Sequence, residues 1–218
     1  APYDTTETTP AVGIVVKPRE NLSLYATYIE GLEEGGVAPV GTLNVGEVLA
    51  PNTSEQYELG VKWELDKLLL TVGYFDIDRV SAFTNTAINR FVQDGRTTYK
   101  GFEFSASGEV GDNFSVYATA MTLDAEQARA ANAALNGLRP ENTPKFTASL
   151  FGEYRFGAVP GLAVSAGVFH TGNRMINQAN TPLDNVFADF RAQGVSEVIL
   201  DLRYNGGGFV SVGRTVAS

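Results

Sequence analysis

Along positions 55–75, EQYELGVKWELDKLLLTVGYF, large apolar residues recur at every second place: Tyr57, Leu59, Val61, Trp63 and Leu65. Glu58, Gly60, Lys62 and Glu64 fill the places between. A period of two is that of a strand with one apolar and one polar face. Seven segments carry it, at 21–30, 55–65, 68–80, 96–110, 113–124, 145–156 and 161–172. In the fourth, Phe102, Phe104, Ala106 and Val110 oppose Glu103, Ser105, Ser107 and Glu109. In the sixth, Phe146, Ala148, Leu150, Tyr154 and Phe156 oppose Thr147, Ser149, Glu153 and Arg155.

The connections alternate in length. Asp66-Lys67, Gly111-Asp112 and GAVPG (157–161) are hairpin-short, whereas 31–54 and 125–144 are long, and 81–95 is intermediate, with room for part of it to extend the flanking strands. Antiparallel neighbours then place every short turn at one end of the sheet and every long loop at the other. Compact soluble domains seldom carry such loops. Bacterial outer-membrane barrels do, and a tilted strand of about 9–11 residues crosses the hydrocarbon. The expected fold is therefore all-β, with antiparallel strands from a large outer-membrane β-barrel. Tyr57, Leu59, Val61, Trp63 and Leu65 would face lipid, while Glu58, Lys62 and Glu64 would face a wet interior. A soluble antiparallel sheet is the alternative, and it would need a second layer to cover Trp63 and its neighbours.

Composition narrows the function classes. The 218 residues carry a formal charge of -9, with no basic run, so nucleic acid is not an expected partner. There is no Cys and one His, which removes thiol nucleophiles, disulfides and His clusters. No basic segment followed by an apolar stretch reads as a signal peptide, and no apolar run is long enough for a transmembrane helix.

The wording of the chain adds a resemblance. KPRENLSLYATYIEGLEEGGVAP (17–39), GEVLAPNTSEQYELGVKWEL (46–65), LLLTVGYFDIDR (68–79), DGRTTYKGFEFSASGEV (94–110), NGLRPENTPKFTASLFGEYRF (136–156) and VFHTGNRMINQANT (168–181) resemble the C-terminal barrel portion of TonB-dependent ferric-siderophore receptors. The resemblance implies a barrel of about 22 strands closed around an N-terminal plug. It implies an outer-membrane location in a Gram-negative bacterium, a ferric siderophore as ligand, and outer-membrane lipid and the TonB complex as partners. The seven strands read here would be a fragment of that barrel, spanning 1–183.

From about Val186 the pattern changes. VFADFRAQGVSEVILDLRYNGGGFVSVGRTVAS reads as a short helix (186–193), then a strand (196–204) apolar on both faces, so 184–218 is expected to be a short α/β tail. Its DLRYNGGG (201–208) resembles the S41 serine peptidases, the C-terminal-processing and tricorn-type group. In that family the nucleophile Ser and the Lys base lie further along, so Ser211 is read as a structural serine and no catalytic residue is expected. Two unrelated patterns thus meet near 181–186, which reads as a fusion, a frameshift or misassembly, or an artificial join. A soluble β-rich binding protein and a truncated S41 peptidase stay open beside the receptor.

Candidate chemistry is sparse. Tyr25, Tyr28, Tyr99 and Arg174 are groups that could grip an anionic ferric complex, and equally could be interface anchors or lumen fillers. His170 stands without metal-ligating partners of its kind. Asp76 and Asp78 share a face and read as charges lining the lumen. Gly206–Gly208 lack the Lys and Ser/Thr of a phosphate loop. LDAEQARAANAALNGL (123–138) has Ala spacing that suggests a short helix in a loop. No cofactor and no metal site are expected.

Overall fold

The computed structural model describes Thr6, residues 8–175 and Ala192. The chain divides between Thr181 and Pro182, and every strand described below belongs to the first unit. The expected tail and its S41-like motif lie outside the described residues.

Eight strands form one sheet in chain order, each antiparallel to the next. They are β1 (Ala11–Arg19), β2 (Leu22–Glu33), β3 (Asn52–Leu65), β4 (Leu68–Asn85), β5 (Arg90–Val110), β6 (Phe114–Arg129), β7 (Phe146–Arg155) and β8 (Ala163–Thr171). β1 and β8 do not pair with each other, so the sheet is an open wall. Four connections are tight and meet at one end, at 20–21, 66–67, 111–113 and 156–162. Asp66 (φ 53°) and Gly111 (φ 69°) take the left-handed conformation that these turns need. At the other end lie 34–51 and 130–145, with the β4–β5 hairpin between them.

Register shows what each face carries, because directly paired residues share a face. One row runs Val16, Leu24, Val61, Val72, Phe104, Ala120, Ala148 and His170 across all eight strands. The next runs Leu22, Trp63, Leu70, Ala106, Ala118, Leu150 and Val168. The opposite face holds Ser23, Lys62, Thr71, Ser105, Thr119 and Ser149 in one row, which is polar across β2–β7 and ends on Phe169 of the edge strand β8.

Exposure inverts the order of a water-soluble protein. Leu59 is 59% and Val168 60% exposed on the apolar face, with no second layer over them among the described residues. On the polar-face side Phe75 is 8% and Gln127 7% exposed. A curved sheet crowds side chains on its concave side, so the polar face is the inner one. An uncovered apolar convex face suits hydrocarbon, not water.

Glycines on the inner face make room for that crowding. The Tyr25 ring lies where a Cβ on Gly60 would sit, and its hydroxyl reaches over Gly73. Phe75 lies over Gly101 in the same way, with its Cζ 2.8 Å from where a Cβ would be.

The stretch 81–95 extends its flanking strands, continuing β4 and β5 into a projecting hairpin closed by 86–89. Two sequence readings change. β1 is an eighth strand. The Ala-rich 123–138 does not make the expected helix: it stays in β6 to Arg129, and only Ala133–Leu135 forms a 3₁₀ turn, capped by the Asn132 side chain. Pairing with β5, Thr97 to Gln127 and Arg96 to Arg129, outweighs the helical preference of alanine there.

Candidate functional site

At mid-height the inner face is polar and mostly made of short side chains. The Tyr25 hydroxyl donates to Glu58 Oε1 at 2.6 Å, and Lys62 Nζ stands 5.2 Å from the centre of the Tyr25 ring. The Thr119 and Ser149 hydroxyls meet at 2.7 Å. Between them runs a shallow groove of about 200 Å³, lined by residues that include Thr71, Glu103, Ser105, Thr119 and Thr147. Such a groove is a piece of wall. Enclosing a chelate takes further surfaces.

Toward the long-loop end, Arg79 Nε donates to both Glu33 carboxylate oxygens, at 2.7 and 2.9 Å. Tyr99 lies beside Arg79, one pair lower on β5, where it faces Ile77. This trio joins a charge pair and a phenol on the inner face near the loops. Toward the short-turn end, Arg155 bonds Glu109 (3.0 Å), Glu153 (3.1 Å) and the Ser115 hydroxyl (2.9 Å), and Lys67 lies 3.6 Å from Glu109. These groups are half exposed to water, so Arg155→Ala is expected to cost no more than about 1 kcal/mol. Loss of heat-modifiable gel migration in that variant would contradict this.

The four sequence candidates do not converge. Tyr25 is on the inner face, held by Glu58. Tyr28 is on the outer face, packed on Tyr57 with ring centres 4.9 Å apart and bonded to Glu30 at 2.5 Å. Its ring therefore lies on the side away from Tyr25 and Tyr99. Tyr99 is on the inner face near the rim. Arg174 follows β8 and donates to Asn142 Oδ1 at 2.9 Å. Glu33 and Arg79 were not singled out by the sequence, yet their strand parity places both with the inner-facing residues.

Asp76 and Asp78 are corrected as well. They face outward, paired with Lys100 (3.1 Å) and Arg96 (2.7 Å); Asp76 is level with its partner Tyr57, where the apolar face gives way to charge, and Asp78 lies beyond it opposite Glu55. His170 is on the outer face against Phe146, with ring centres 5.8 Å apart. Among the described residues no cluster of three or more His, Cys, Asp or Glu is placed to hold a metal ion, and no helix is long and apolar enough to cross a membrane.

An apolar band outside, polar residues inside, and loops sorted to one end are the marks of a transmembrane barrel wall. The family profile described as "TonB dependent receptor-like, beta-barrel" matches residues 1–212. The chain belongs to this family. Its barrels sit in the outer membrane of Gram-negative bacteria, and the uncovered apolar face is the surface that lipid meets there. Among curated relatives, the ferrichrome receptor FcuA of Yersinia enterocolitica is 32% identical over 82% of this chain and 24% of its own length. The ferrichrome outer membrane transporter/phage receptor of Escherichia coli K12 is 27% identical over 72% of this chain and 21% of its own. The crystal structure of BauA, the ferric preacinetobactin receptor from Acinetobacter baumannii, superposes with a TM-score of 0.72 at 30% identity, covering 80% of this chain and 27% of that one. The chain thus spans about a quarter of the length of the curated relatives it matches.

Proposed function

We propose that this chain forms part of the wall of a receptor that imports a ferric siderophore across the outer membrane with energy from the TonB complex. The observation that carries the reading is the two-faced sheet, apolar and uncovered outside, polar and crowded inside, with its long loops at one end. The names of the relatives supply the ligand class: ferrichrome for FcuA and preacinetobactin for BauA. The ligand-facing groups in this piece are Arg79 and Tyr99 near the rim, with Tyr25 lower in the lumen. A guanidinium and a phenol give the charged and neutral donors that an oxygen-rich ferric complex accepts. Arg174 sits on the loop side and remains a candidate contact.

The test is iron uptake by iron-starved cells carrying or lacking the complete gene, with a panel of radiolabelled ferric chelates. Uptake of at least one chelate falls to background without the gene. Equal uptake of every chelate in both strains would remove the reading. Within a responsive chelate, Arg79→Ala and Tyr99→Ala each weaken binding by about 10-fold or more, the loss of one charge-assisted or buried hydrogen bond. Unchanged affinity in both variants would move the ligand site elsewhere.

We further propose that residues 184–218 are a separate segment from the barrel portion at 1–183 and carry no peptidase activity. The support is the change of pattern after 186 and the lack, in this stretch, of the nucleophile and base that S41 chemistry needs. Continuous sequencing of the locus across codons 181–186 tests the join. Labelling by a covalent serine probe would overturn the non-enzyme reading. The family match through residue 212 is the competing observation, and the locus sequence decides between them.

A further inference from the structure

The stretch 34–51 is folded against the projecting β4–β5 hairpin. Within it, Val37 and Val48 form a bridge, the Ala38 amide donates to Glu47 O at 2.9 Å, and the Gly46 amide donates to Ala38 O at 2.9 Å. Gly35 lets the backbone pass where a Cβ would collide with Leu49 O.

The joint to the hairpin is denser still. Asn44 is only 8% exposed, and its side chain reads both backbone groups of Phe91: Nδ2 donates to the carbonyl at 2.9 Å, and Oδ1 accepts from the amide at 2.9 Å. Beside it the Leu43 amide donates to Asn89 O at 2.8 Å. Gln93 Nε2 donates to Ala50 O at 2.8 Å and to Asn52 Oδ1 at 2.5 Å, and Arg90 pairs with Glu47 at 3.1 Å. Gly36 leaves room for the Phe91 ring, 2.7 Å from where its Cβ would be.

We propose that the loop at 34–51 and the β4–β5 hairpin are one preset arm, clamped by Asn44, that opens only as a unit. The amide of Asn44 satisfies a strand edge that would otherwise face water, so it acts there as a short extra strand. Detaching the loop breaks several hydrogen bonds at once, those of Asn44 partly buried, and the hairpin edge is then left unpaired. The arm is therefore a fixed side of the vestibule, built before any ligand arrives. Any closure around a ligand falls to other loops or to the arm as a whole. Only the identity of what the arm faces rests on the receptor reading. The clamp itself does not.

Hydrogen exchange on the complete membrane-embedded protein tests it, comparing segments 36–49 and 88–94 with 101–109 on β5 as the barrel reference. In the unsubstituted protein both arm segments exchange slowly. Asn44→Ala quickens both together by about tenfold or more while the reference is unchanged. Should that variant fail to show heat-modifiable migration, Gln93→Ala removes the contacts to Ala50 and Asn52 alone and quickens the same two segments by less. Fast exchange of 36–49 in the unsubstituted protein would overturn the proposal. So would a variant that quickens one segment alone, or neither. A protected arm on a protein that imports no chelate would remove the receptor reading and leave the clamp intact.

Discussion

Val61→Arg is expected to destabilise the membrane-embedded protein by about 2–4 kcal/mol, the cost of a cation on the lipid face near the bilayer midplane. Val61 lies in the outer row between Leu24 and Val72, with apolar neighbours above and below it on the strand. Nothing on that face offers a carboxylate at its level, so the guanidinium must snorkel or draw in water. Thr71→Arg, on the inner face, is the matched control: Thr71 pairs with Lys62 and Ser105 and lines the inner-face groove together with Glu103. Its expected cost is within about 1 kcal/mol, because the charge stays in a wet lumen. The temperature at which the heat-modifiable band is lost checks both. Equal losses would mean that the two faces do not differ in solvent.

The second large effect is at the inner-face glycines. Gly101→Ala drives a methyl group into the Thr122 carbonyl oxygen on β6, and a neighbouring backbone cannot swing aside. The expected loss is about 3 kcal/mol, the upper part of the usual overpacking range, and Phe75→Ala does not restore it. At Gly60 the nearest obstacle is the Tyr25 side chain rather than backbone, so the expected loss of Gly60→Ala is about 1–2 kcal/mol. There Tyr25→Ala should rescue most of the glycine effect, a coupling between contacting residues that a double-mutant cycle reads directly. Rescue at Gly101 but not at Gly60 would mean the obstacles are assigned the wrong way round.

Much of the wall could be read from alternation, and the exceptions have physical causes. β1 escaped because Val15 interrupts its period: Ile14, Val15 and Val16 run together, and Pro18 follows. Val15 pairs with Tyr25 on the inner face and stays 61% exposed there, an apolar residue on the polar side of the edge strand. The outward turn of Asp76 and Asp78 was present in the sequence as parity, since they continue the places of Leu70, Val72 and Tyr74. What misled was polarity: beyond the hydrocarbon an outward side chain can be charged, and strands this long leave the membrane before they end. The same parity puts Arg79 inside with Thr71 and Phe75, so the rim site was partly legible too. Its partner was not. Glu33 comes from β2, two strands away, and only register brings the two together. The Asn44 clamp is likewise invisible in one dimension, because a loop asparagine reads as a turn residue until its amide is seen against Phe91.

The most direct measurement is a nitroxide scan of residues 57–65 in the membrane-embedded complete protein, reading collision with oxygen against collision with a water-soluble nickel complex. Labels at Tyr57, Leu59, Val61, Trp63 and Leu65 should favour oxygen, and those at Glu58, Gly60, Lys62 and Glu64 should favour nickel, alternating along the strand. A flat profile, or nickel access at Leu59, Val61 and Trp63 equal to that at Lys62, would contradict a lipid-facing wall.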